Sequence, residues 1–450
     1  MPAAGPSSGL KREIERYVAR TPKSRALQQE AEGVLPGGSS RGTAYFAPYP
    51  FFAEAGEGHY VYDVDGNRYL DFMLNATSLI LGHGNPTIAE ALGEQARKGT
   101  AFSTPTVTQI RVAKLLCDRV PSLSTIRFTN SGTEGTLMAI RAAWAFTGKH
   151  KLAKFEGGYH GAHEHVAVSV KPPAAALDPA GPTPVPEYRG QPPGVGEDVV
   201  VLPYNDLAAC ERVLRAHRDE IGCLIMEPIV SSFGYLPGDA AFLHGIRKLT
   251  EELGIVLVFD EVQSFRVAPG GAQELFGVTP DLTTFGKIIG GGMPVGAFGG
   301  RRDIMAQYDP TAPGGARIAH AGTFNANPMT LLAGEAVLLA LTPPVYRRLA
   351  ELGDALRARL RATLAAAKVP AQVTGIASLF GVHFTPRPIR NYRDVVAADG
   401  EMTKAVFLGL LNEGILLQTS CAGSLGIMTT EAEIDTLVDA FARVAVRVRG

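Results

Sequence analysis

Apolar runs and amphipathic segments alternate through the middle of this 450-residue chain. Residues 221–226 and 255–259 are almost entirely apolar, and an amphipathic stretch at residues 240–253 separates them. Apolar runs of this length are typical of strands buried on both faces of a parallel sheet, with helices packed against the sheet. The pattern therefore predicts an α/β fold in which strands and helices alternate.

The two ends of the chain carry other patterns. Residues 61–72 alternate apolar and polar side chains around Asp65-Gly66, which predicts a β-hairpin. The first dozen residues are expected to be disordered, and a single helix is expected at about residues 11–32, ending at Gly33. Further helices are expected at residues 87–98, 137–147, 345–364, 403–411 and 431–444.

Length and composition narrow the function classes. A chain of 450 residues exceeds the usual size of one hydrophobic core, so two domains are expected. The 43 Lys and Arg residues nearly balance the 44 Asp and Glu residues, which disfavours nucleic acid and membranes as partners. Small molecules and further copies of the chain are the expected partners.

Cysteine usage and targeting patterns indicate a compartment. The four cysteines are scattered without a CxxC pair, which suits a reducing cytoplasm rather than a disulfide framework or a zinc site. The N-terminus shows no apolar core of signal-peptide length, and no segment offers about 18 uninterrupted apolar residues. We therefore expect a soluble, cytoplasmic protein.

A polar turn at residues 130–135 lies between a short predicted strand and the helix predicted from residue 137. Ser131, Gly132 and Thr133 would present hydroxyl and backbone N–H groups at the positive end of the helix dipole, where a phosphate can bind. The alternative is an ordinary helix N-cap by Ser131 or Thr133. The complete Ser-Gly-Thr set favours the phosphate.

Carboxylates follow both apolar runs, Glu227 after the first and Asp260 after the second. In open α/β sheets, ligands bind at the carboxyl ends of the strands, where both residues are expected. A buried carboxylate there needs a cationic partner, and a cofactor with a protonated pyridine nitrogen supplies one. The structural alternatives are a helix N-cap and a salt bridge.

Tyr159 and two histidines follow a strand predicted at residues 151–155. The ring of Tyr159 is suited to lie flat on a heteroaromatic ring. His163 and His165 resemble a pair of metal ligands, but no third ligand has suitable spacing, so no metal site is predicted.

Lys287 lies in a glycine-rich stretch at residues 281–300. Glycines permit close approach of the backbone to a flat ligand, and desolvation favours the neutral amine that attacks carbonyl groups. The alternative is a surface loop with a solvated lysine. Together with the phosphate turn, the aromatic ring and the carboxylate, Lys287 completes the set that pyridoxal phosphate requires, since a lysine both attaches it and carries a proton between substrate and cofactor.

Five motifs in the chain resemble those of a known family. They are Ser131-Gly132-Thr133-Glu134, Gly158-Tyr159-His160-Gly161, Phe259-Asp260-Glu261-Val262, Thr284-Phe285-Gly286-Lys287 with the glycines that follow, and Gly322-Thr323-Phe324-Asn325. In this order they are similar to the motifs of the class III aminotransferases. Within that class they are most similar to the branch that holds glutamate-1-semialdehyde aminomutase and the β-phenylalanine aminotransferases. The resemblance extends from about residue 35 to the last predicted helix.

The resemblance implies the fold type I architecture of pyridoxal-phosphate-dependent transferases. A large domain at residues 81–335 would hold a mostly parallel seven-stranded sheet. A small α+β domain would comprise residues 336–450, together with an N-terminal segment, residues 1–80, that also contributes to the substrate pocket. A homodimer with shared active sites is implied as well.

The resemblance also implies a role for each site residue. Lys287 would form the Schiff base with pyridoxal 5′-phosphate, and Asp260 would pair with the pyridine nitrogen. The other implied roles are phosphate binding by Ser131, Gly132 and Thr133, contact with the two ring faces by Tyr159 and Val262, a position near the ring substituents for Glu227, and contact with the phosphate of the neighbouring subunit's cofactor by Thr323.

Three segments bear on the substrate. Residues 36–41 resemble the segment that places an arginine on the substrate carboxylate, so Arg41 is expected to be that clamp; the alternative is an exposed loop arginine. Residues 45–50 are more similar to the β-phenylalanine enzymes than to the aminomutases. Ser420 occupies the approximate place of a second arginine of those enzymes, which leaves open the acceptor and the orientation of the donor.

Three hypotheses about function follow. The first is a pyridoxal-phosphate-dependent aminotransferase that takes nitrogen from an aromatic β-amino acid or an amine and passes it to a 2-oxo acid by a ping-pong mechanism. The second is glutamate-1-semialdehyde 2,1-aminomutase, an isomerase that moves an amino group within one molecule. The third is a non-catalytic relative that binds a cofactor or partner, which the retention of Lys287 argues against.

Overall fold

The computed structural model describes residues 7–449 and divides into two compact units. The first unit takes the chain up to Asn85, together with Leu349–Pro388 and the stretch from Ala398 onward. The second unit comprises Pro86–Arg348 and Ile389–Ala397. Within the described residues, no helix on its own has the length and apolar character needed to cross a membrane, and only the bent pair Pro328–Ala340 and Pro343–Ala366 meets that requirement jointly.

The second unit is built on a seven-stranded sheet, all of whose strands lie within the described residues. In chain order the strands are β1 (Thr125–Thr129), β2 (Lys151–Phe155), β3 (Val199–Leu202), β4 (Ile221–Met226), β5 (Val256–Asp260), β6 (Leu282–Gly286) and β7 (Gly296–Gly300). Their order across the sheet is β1-β7-β6-β5-β4-β2-β3. Strand β7 is antiparallel to both neighbours, and the other pairs are parallel. The predicted α/β fold with a mostly parallel seven-stranded sheet is confirmed.

Helices cover both faces of this sheet, which explains the apolar runs. Phe259 of β5 packs in one hydrophobic cluster with helix Ala240–Leu253, whereas its neighbour Val258 packs in another with helix Gly132–Thr147, here named α1. Successive side chains of a strand point to opposite faces, so both faces need apolar residues. Full burial of one such side chain contributes about 1.5–3 kcal/mol relative to exposure, which favours strands that helices cover on both sides.

The helices of the second unit follow the alternating pattern. Besides α1 they are Pro86–Lys98, Val107–Arg119, Pro193–Glu197, Leu207–Ala216, Ala240–Leu253, Ala272–Phe276, Arg302–Met305, Pro328–Ala340 and Tyr392–Val396, and helix Pro343–Ala366 begins in this unit. Two short strands, Ile229–Val230 and Leu236–Pro237, pair separately. Helix α1 begins at Gly132 rather than near residue 137, because Ser131 caps it there.

The first unit contains two smaller sheets. Strands Ala53–Glu57, Tyr60–Asp63, Arg68–Asp71 and Ile415–Leu416 form one, and Gln372–Thr374, Leu379–His383 and Ala422–Ser424 form the other. Tyr60–Asp63 and Arg68–Asp71 are antiparallel, so the predicted hairpin is confirmed. The helices that lie wholly in this unit are Ser8–Arg20, Pro22–Glu32, Gly400–Asn412 and Glu431–Arg449, and Leu74–Thr77 forms a left-handed turn.

The expectation of a single helix at residues 11–32 is wrong. The chain forms two helices, Ser8–Arg20 and Pro22–Glu32, which are separated at Thr21. Pro22 lacks an N–H group and starts the second helix, and it disfavours a helical conformation for the residue before it. The expected disorder of the first dozen residues is also wrong from Ser8 onward, and residues 1–6 lie outside the described part of the chain.

Candidate active site

The turn between β1 and α1 contains the predicted phosphate-binding residues. Ser131 is the N-cap of α1, since its Oγ accepts a hydrogen bond from the Glu134 N–H at 3.2 Å. The Glu134 carboxylate in turn accepts a hydrogen bond from the Asn130 N–H at 2.7 Å. Capping does not exclude an anion, because the first N–H groups of this 16-residue helix have no partner within the helix and lie at the positive end of its dipole.

Three glycines allow segments around this turn to approach one another closely. A Cβ atom on Gly132 would lie 3.0 Å from one methyl group of Val262, and a Cβ atom on Gly286 would lie 3.2 Å from the other. Gly161 has a φ of +105°, and a Cβ atom there would lie 2.7 Å from Cα of Thr133. Val262 is therefore packed beside both the start of α1 and the end of β6, and the loop after β2 reaches the same turn.

Asp260 is the buried last residue of β5. Its carboxylate accepts three hydrogen bonds: from Nδ1 of His160 at 2.9 Å, from the Val262 N–H at 3.1 Å and from Oγ1 of Thr284 at 3.2 Å. Thr284 lies directly beside Asp260 in the pairing of β6 with β5. Donors from three segments therefore fix the orientation of this carboxylate.

His160 is a site residue that the sequence reasoning missed. Its side chain is buried, and burial lowers the pKa of its imidazole, although the nearby Asp260 carboxylate opposes that shift. The ring is therefore neutral at neutral pH, and Nδ1 carries the proton because a carboxylate only accepts. Nε2 has no hydrogen-bond partner among the described residues. The sequence did offer one signal for His160. This residue comes shortly after β2, and the carboxyl end of β2 lies at the same edge of the sheet as Asp260, the last residue of β5.

Glu227 follows β4 and is buried beside the same region. Its Oε1 accepts hydrogen bonds from Oγ and the N–H of Ser231 at 2.7 and 3.1 Å, and its Oε2 accepts one from the Tyr159 N–H at 3.4 Å. Burial, with a smaller contribution from Asp260, raises the pKa of Glu227 to about 7. The carboxylate thus links the loop that carries Tyr159 to the turn at Ser231–Phe233.

Lys287 follows directly on the last residue of β6. Its φ of +52° is left-handed, a conformation that costs a non-glycine residue roughly 1–3 kcal/mol and is concentrated at functional sites. One of the glycines after it also serves packing. A Cβ atom on Gly291 would lie 2.5 Å from the carbonyl oxygen of Ala333, so this glycine lets the turn after β6 pack against helix Pro328–Ala340.

Two predicted site residues remain, Thr323 and Arg41, and both are exposed. Thr323 is exposed in the loop before helix Pro328–Ala340, and this loop is tied to the β1–α1 turn because Nδ2 of Asn130 donates to Oδ1 of Asn325 at 2.9 Å. Arg41 is exposed and belongs to the first unit. The roles predicted for Thr323 and Arg41 stay predictions.

The residues of the second unit fit pyridoxal phosphate. A helix N-terminus with hydroxyl groups suits a phosphate, and a fixed carboxylate suits a protonated pyridine nitrogen. The ring of Tyr159 is about half exposed (48%) and so offers a face for stacking, and Lys287 supplies an amine at the carboxyl end of β6. This fold and this set of side chains define a pyridoxal-phosphate-dependent enzyme of fold type I.

The chain belongs to the aminotransferase class-III family, whose family model matches residues 44–444. It is 37% identical over 428 residues to glutamate-1-semialdehyde 2,1-aminomutase of Bacillus subtilis, covering 94% of this chain and 97% of the relative. It is 41% identical over 399 residues to the aminomutase of Methanothermobacter thermautotrophicus, covering 88% of this chain and 92% of the relative.

Solved structures support the same family. An ω-transaminase from Sphaerobacter thermophilus is 45% identical with a TM-score of 0.92, over 96% of this chain and 100% of that chain. A β-phenylalanine aminotransferase from Variovorax paradoxus is 39% identical with a TM-score of 0.88, over 97% of this chain and 96% of that chain. The protein is therefore a pyridoxal-phosphate-dependent enzyme of the class III aminotransferases.

Proposed function

We propose that the protein transfers an amino group from an aromatic β-amino acid or amine to a 2-oxo acid by a ping-pong mechanism. The observation that carries the proposal is the similarity to the ω-transaminase, which at 45% identity over 96% of the chain exceeds the 37% and 41% identities to the two aminomutases. The segment at residues 45–50, with its resemblance to the β-phenylalanine enzymes, supports the same choice.

In this proposal Lys287 anchors the cofactor and then acts as the base. Bound pyridoxal phosphate supplies an electron-withdrawing ring for the charge left when the substrate carbon loses its proton. With the cofactor bound, Nζ of Lys287 would accept the proton from the carbon that bears the amino group and hold it for return, so this lysine would be the group that carries the proton. Asp260, oriented by His160 and Thr284, keeps the pyridine nitrogen protonated.

The surrounding residues hold and align the cofactor. Ser131, Gly132 and Thr133 bind its phosphate at the start of α1. Tyr159 stacks on one face of the ring and Val262 packs on the other. We further propose that Glu227 lies near the ring substituents and that Thr323 reaches the phosphate of the neighbouring subunit's cofactor.

Arg41 is the proposed clamp for the substrate carboxylate. A guanidinium binds a carboxylate through two parallel hydrogen bonds, which fixes its orientation as well as its position. Ser420 stands in an exposed turn, where the resemblance expects a second arginine. A donor with one carboxylate, or an amine with none, therefore suits the proposal better than a donor with two.

A donor panel tests the proposal. Both enantiomers of 3-amino-3-phenylpropionate, together with α-phenylalanine and 1-phenylethylamine, are assayed with pyruvate and with 2-oxoglutarate. Fast conversion of the aromatic β-amino acid or the amine is expected, with initial rates that give parallel lines in double-reciprocal plots. Activity confined to α-amino acids would refute the proposed donor.

The second candidate is the aminomutase, which is favoured by the names of the two relatives that are 37% and 41% identical. The two candidates differ in the need for an acceptor. An aminotransferase whose cofactor has taken up nitrogen returns quickly to its starting spectrum when a 2-oxo acid is added. An aminomutase isomerises glutamate 1-semialdehyde without any added acceptor, so rapid isomerisation with a weak response to oxo acids would select it.

We also propose a homodimer with shared active sites in a reducing cytoplasm. Large apolar side chains at Phe102, Val107, Ile110 and Phe324 are exposed on the second unit, where a second copy would cover them. Sedimentation equilibrium tests the dimer, and a monomer at micromolar concentration would refute it.

The proposed compartment is supported by the cysteines. All four are free thiols in the described structure, which suits a reducing compartment.

A further inference from the structure

A left-handed turn interrupts the first unit just after strand Arg68–Asp71. Four consecutive non-glycine residues, Leu74–Thr77, have φ angles of +47°, +47°, +54° and +75°. Each such residue costs roughly 1–3 kcal/mol unless its surroundings hold it in place. A run of four is therefore stable only because other contacts maintain it, and strain on this scale points to a role for the turn.

Specific contacts fix the turn at both ends. Oδ1 of the buried Asp71 accepts hydrogen bonds from the N–H groups of Met73 and Leu74, both at 2.8 Å. The carbonyl oxygen of Leu74 accepts a hydrogen bond from the Leu79 N–H at 3.0 Å. Leu74 and Thr77 are fully buried, whereas Asn75 between them is exposed. The turn therefore presents the side chain of Asn75 from a rigid base.

The side chain of Asn75 binds Arg41. Nη1 of Arg41 donates a hydrogen bond to Oδ1 of Asn75 at 2.8 Å, across 34 residues of sequence. Arg41 is fixed from its backbone as well, since its N–H donates to Oγ of Ser39 at 3.1 Å. An exposed arginine ordinarily samples many rotamers, and this contact restricts it to one direction.

The chemistry of the contact leaves the arginine available. Among the described residues, no carboxylate oxygen lies within 4.0 Å of the Arg41 guanidinium. The amide oxygen of Asn75 is a neutral acceptor, so it uses one of the five guanidinium N–H groups without neutralising the charge. A guanidinium group that is held in one orientation but keeps its charge can bind a carboxylate through two hydrogen bonds.

We propose that Asn75 is a positioning residue that holds Arg41 for the carboxylate of the amino donor, and that the strained turn exists to present it. This inference rests on the proposed function, which places Arg41 on the substrate carboxylate. Asn75 then sets the preference for carboxylate-bearing donors over simple amines. An aspartate at this position would orient the arginine equally well but would cancel its charge.

Four variants of the cofactor-loaded enzyme separate this role from folding and from the clamp itself. N75G removes the amide while glycine tolerates a positive φ, so the turn should be retained. A76G is the matched control, because it relaxes the same turn and keeps the amide. N75D keeps an acceptor but adds a negative charge beside Arg41. R41A reports whether the clamp itself operates.

The readouts are binding of 3-phenylpropionate, followed by the change in cofactor absorption, and steady-state kinetics with two donors. We expect N75G to weaken binding of 3-phenylpropionate and to raise KM for 3-amino-3-phenylpropionate by about tenfold, with kcat nearly unchanged. N75D should weaken binding more than N75G, since its carboxylate competes for Arg41. A76G should bind like wild type, and KM for 1-phenylethylamine should not change in N75G, N75D or A76G.

The outcomes distinguish this inference from the proposed function. If R41A weakens binding of 3-phenylpropionate but N75G and N75D do not, the inference is overturned and the clamp stands. If R41A also binds like wild type, the clamp of the proposed function falls and the inference falls with it. Equal losses in N75G and A76G would show that the turn matters only for folding, which would also overturn the inference.

Discussion

Replacing His160 by leucine tests how the orientation of Asp260 affects turnover. His160 is 2% exposed, and its Nδ1 lies 2.9 Å from the Asp260 carboxylate. Leucine fills much of the same volume but cannot donate a hydrogen bond. Asp260 would keep the two donors from Val262 and Thr284, so the substitution removes one of three hydrogen bonds rather than the whole network.

The magnitude follows from the kind of bond that is lost. A hydrogen bond to a charged group contributes about 1.5–3 kcal/mol, and each 1.4 kcal/mol corresponds to roughly a factor of ten. If the proposed role of Asp260 is correct, its carboxylate interacts most strongly with the pyridine nitrogen while the substrate carbon is deprotonated. We therefore expect His160→Leu to slow that step by roughly 10- to 150-fold. His160→Asn, whose amide can donate to Asp260, should recover part of the loss.

Single-turnover kinetics with a deuterated donor measure the step directly. The amino donor carries deuterium on the carbon that bears nitrogen, and the change in cofactor absorption is followed by stopped flow. His163→Leu is the matched control, because His163 contacts Thr136 at 3.4 Å instead of Asp260. A folded, cofactor-loaded His160→Leu variant with the wild-type rate and isotope effect would refute the reasoning.

Three further predictions concern stability and attachment. Folding raises the pKa of Glu227 from 4.5 to about 7, so the folded state favours the protonated carboxyl group. This contribution to the free energy of unfolding is fully present below pH 4.5 and is lost as the pH rises through 7. Relative to Glu227→Gln, the wild type should therefore lose about 3 kcal/mol of unfolding free energy over that range in denaturant titrations, and a pH-independent difference would contradict this. Gly161→Ala should lower both thermal stability and cofactor affinity, because the new Cβ atom would lie 2.7 Å from Thr133. Gly148→Ala is the control: Gly148 has a φ of +70° but open space around it, so the substitution should cost only about 1–2 kcal/mol of stability and leave cofactor affinity unchanged. Lys287→Ala should abolish turnover and covalent attachment, as checked by borohydride reduction and mass spectrometry, and normal transamination by this variant would rule out the assigned base.

Local sequence patterns were sufficient for the alternating α/β fold and for the strand-end residues, whereas the seven-stranded sheet was implied by the family resemblance. The apolar runs of β4 and β5 are visible in a few consecutive residues; a carboxylate directly follows β4, and another is the last residue of β5. Because ligands bind at the carboxyl ends of parallel strands, Glu227 and Asp260 could be selected without knowing the strand order. The strand–turn–helix pattern and the glycine-rich stretch indicated roles for Ser131 and Lys287, and the resemblance then implied the same roles.

Contacts between distant segments could not be predicted in this way. His160 and Asp260 are 100 residues apart, and their contact depends on the order of the strands across the sheet. The contact between Arg41 and Asn75 depends on a left-handed turn without any glycine, for which the sequence carries no local signal. The break before Pro22, in contrast, was readable, since proline seldom continues a helix.

The glycines after Lys287 show how packing and site geometry are connected. Strand β7 lies between β1 and β6, so it separates the phosphate turn from Lys287 by two strand spacings of about 4.8 Å each. Because β7 is antiparallel, its first residue, Gly296, lies at the edge where β1 and β6 end. A Cβ atom on Gly296 would lie 1.9 Å from the Ser131 carbonyl oxygen, so a larger residue would displace the turn. Glycine is therefore needed at residue 296 so that the start of β7 can pack against the turn at Ser131. This close packing sets the distance between the proposed phosphate site and the proposed base, Lys287.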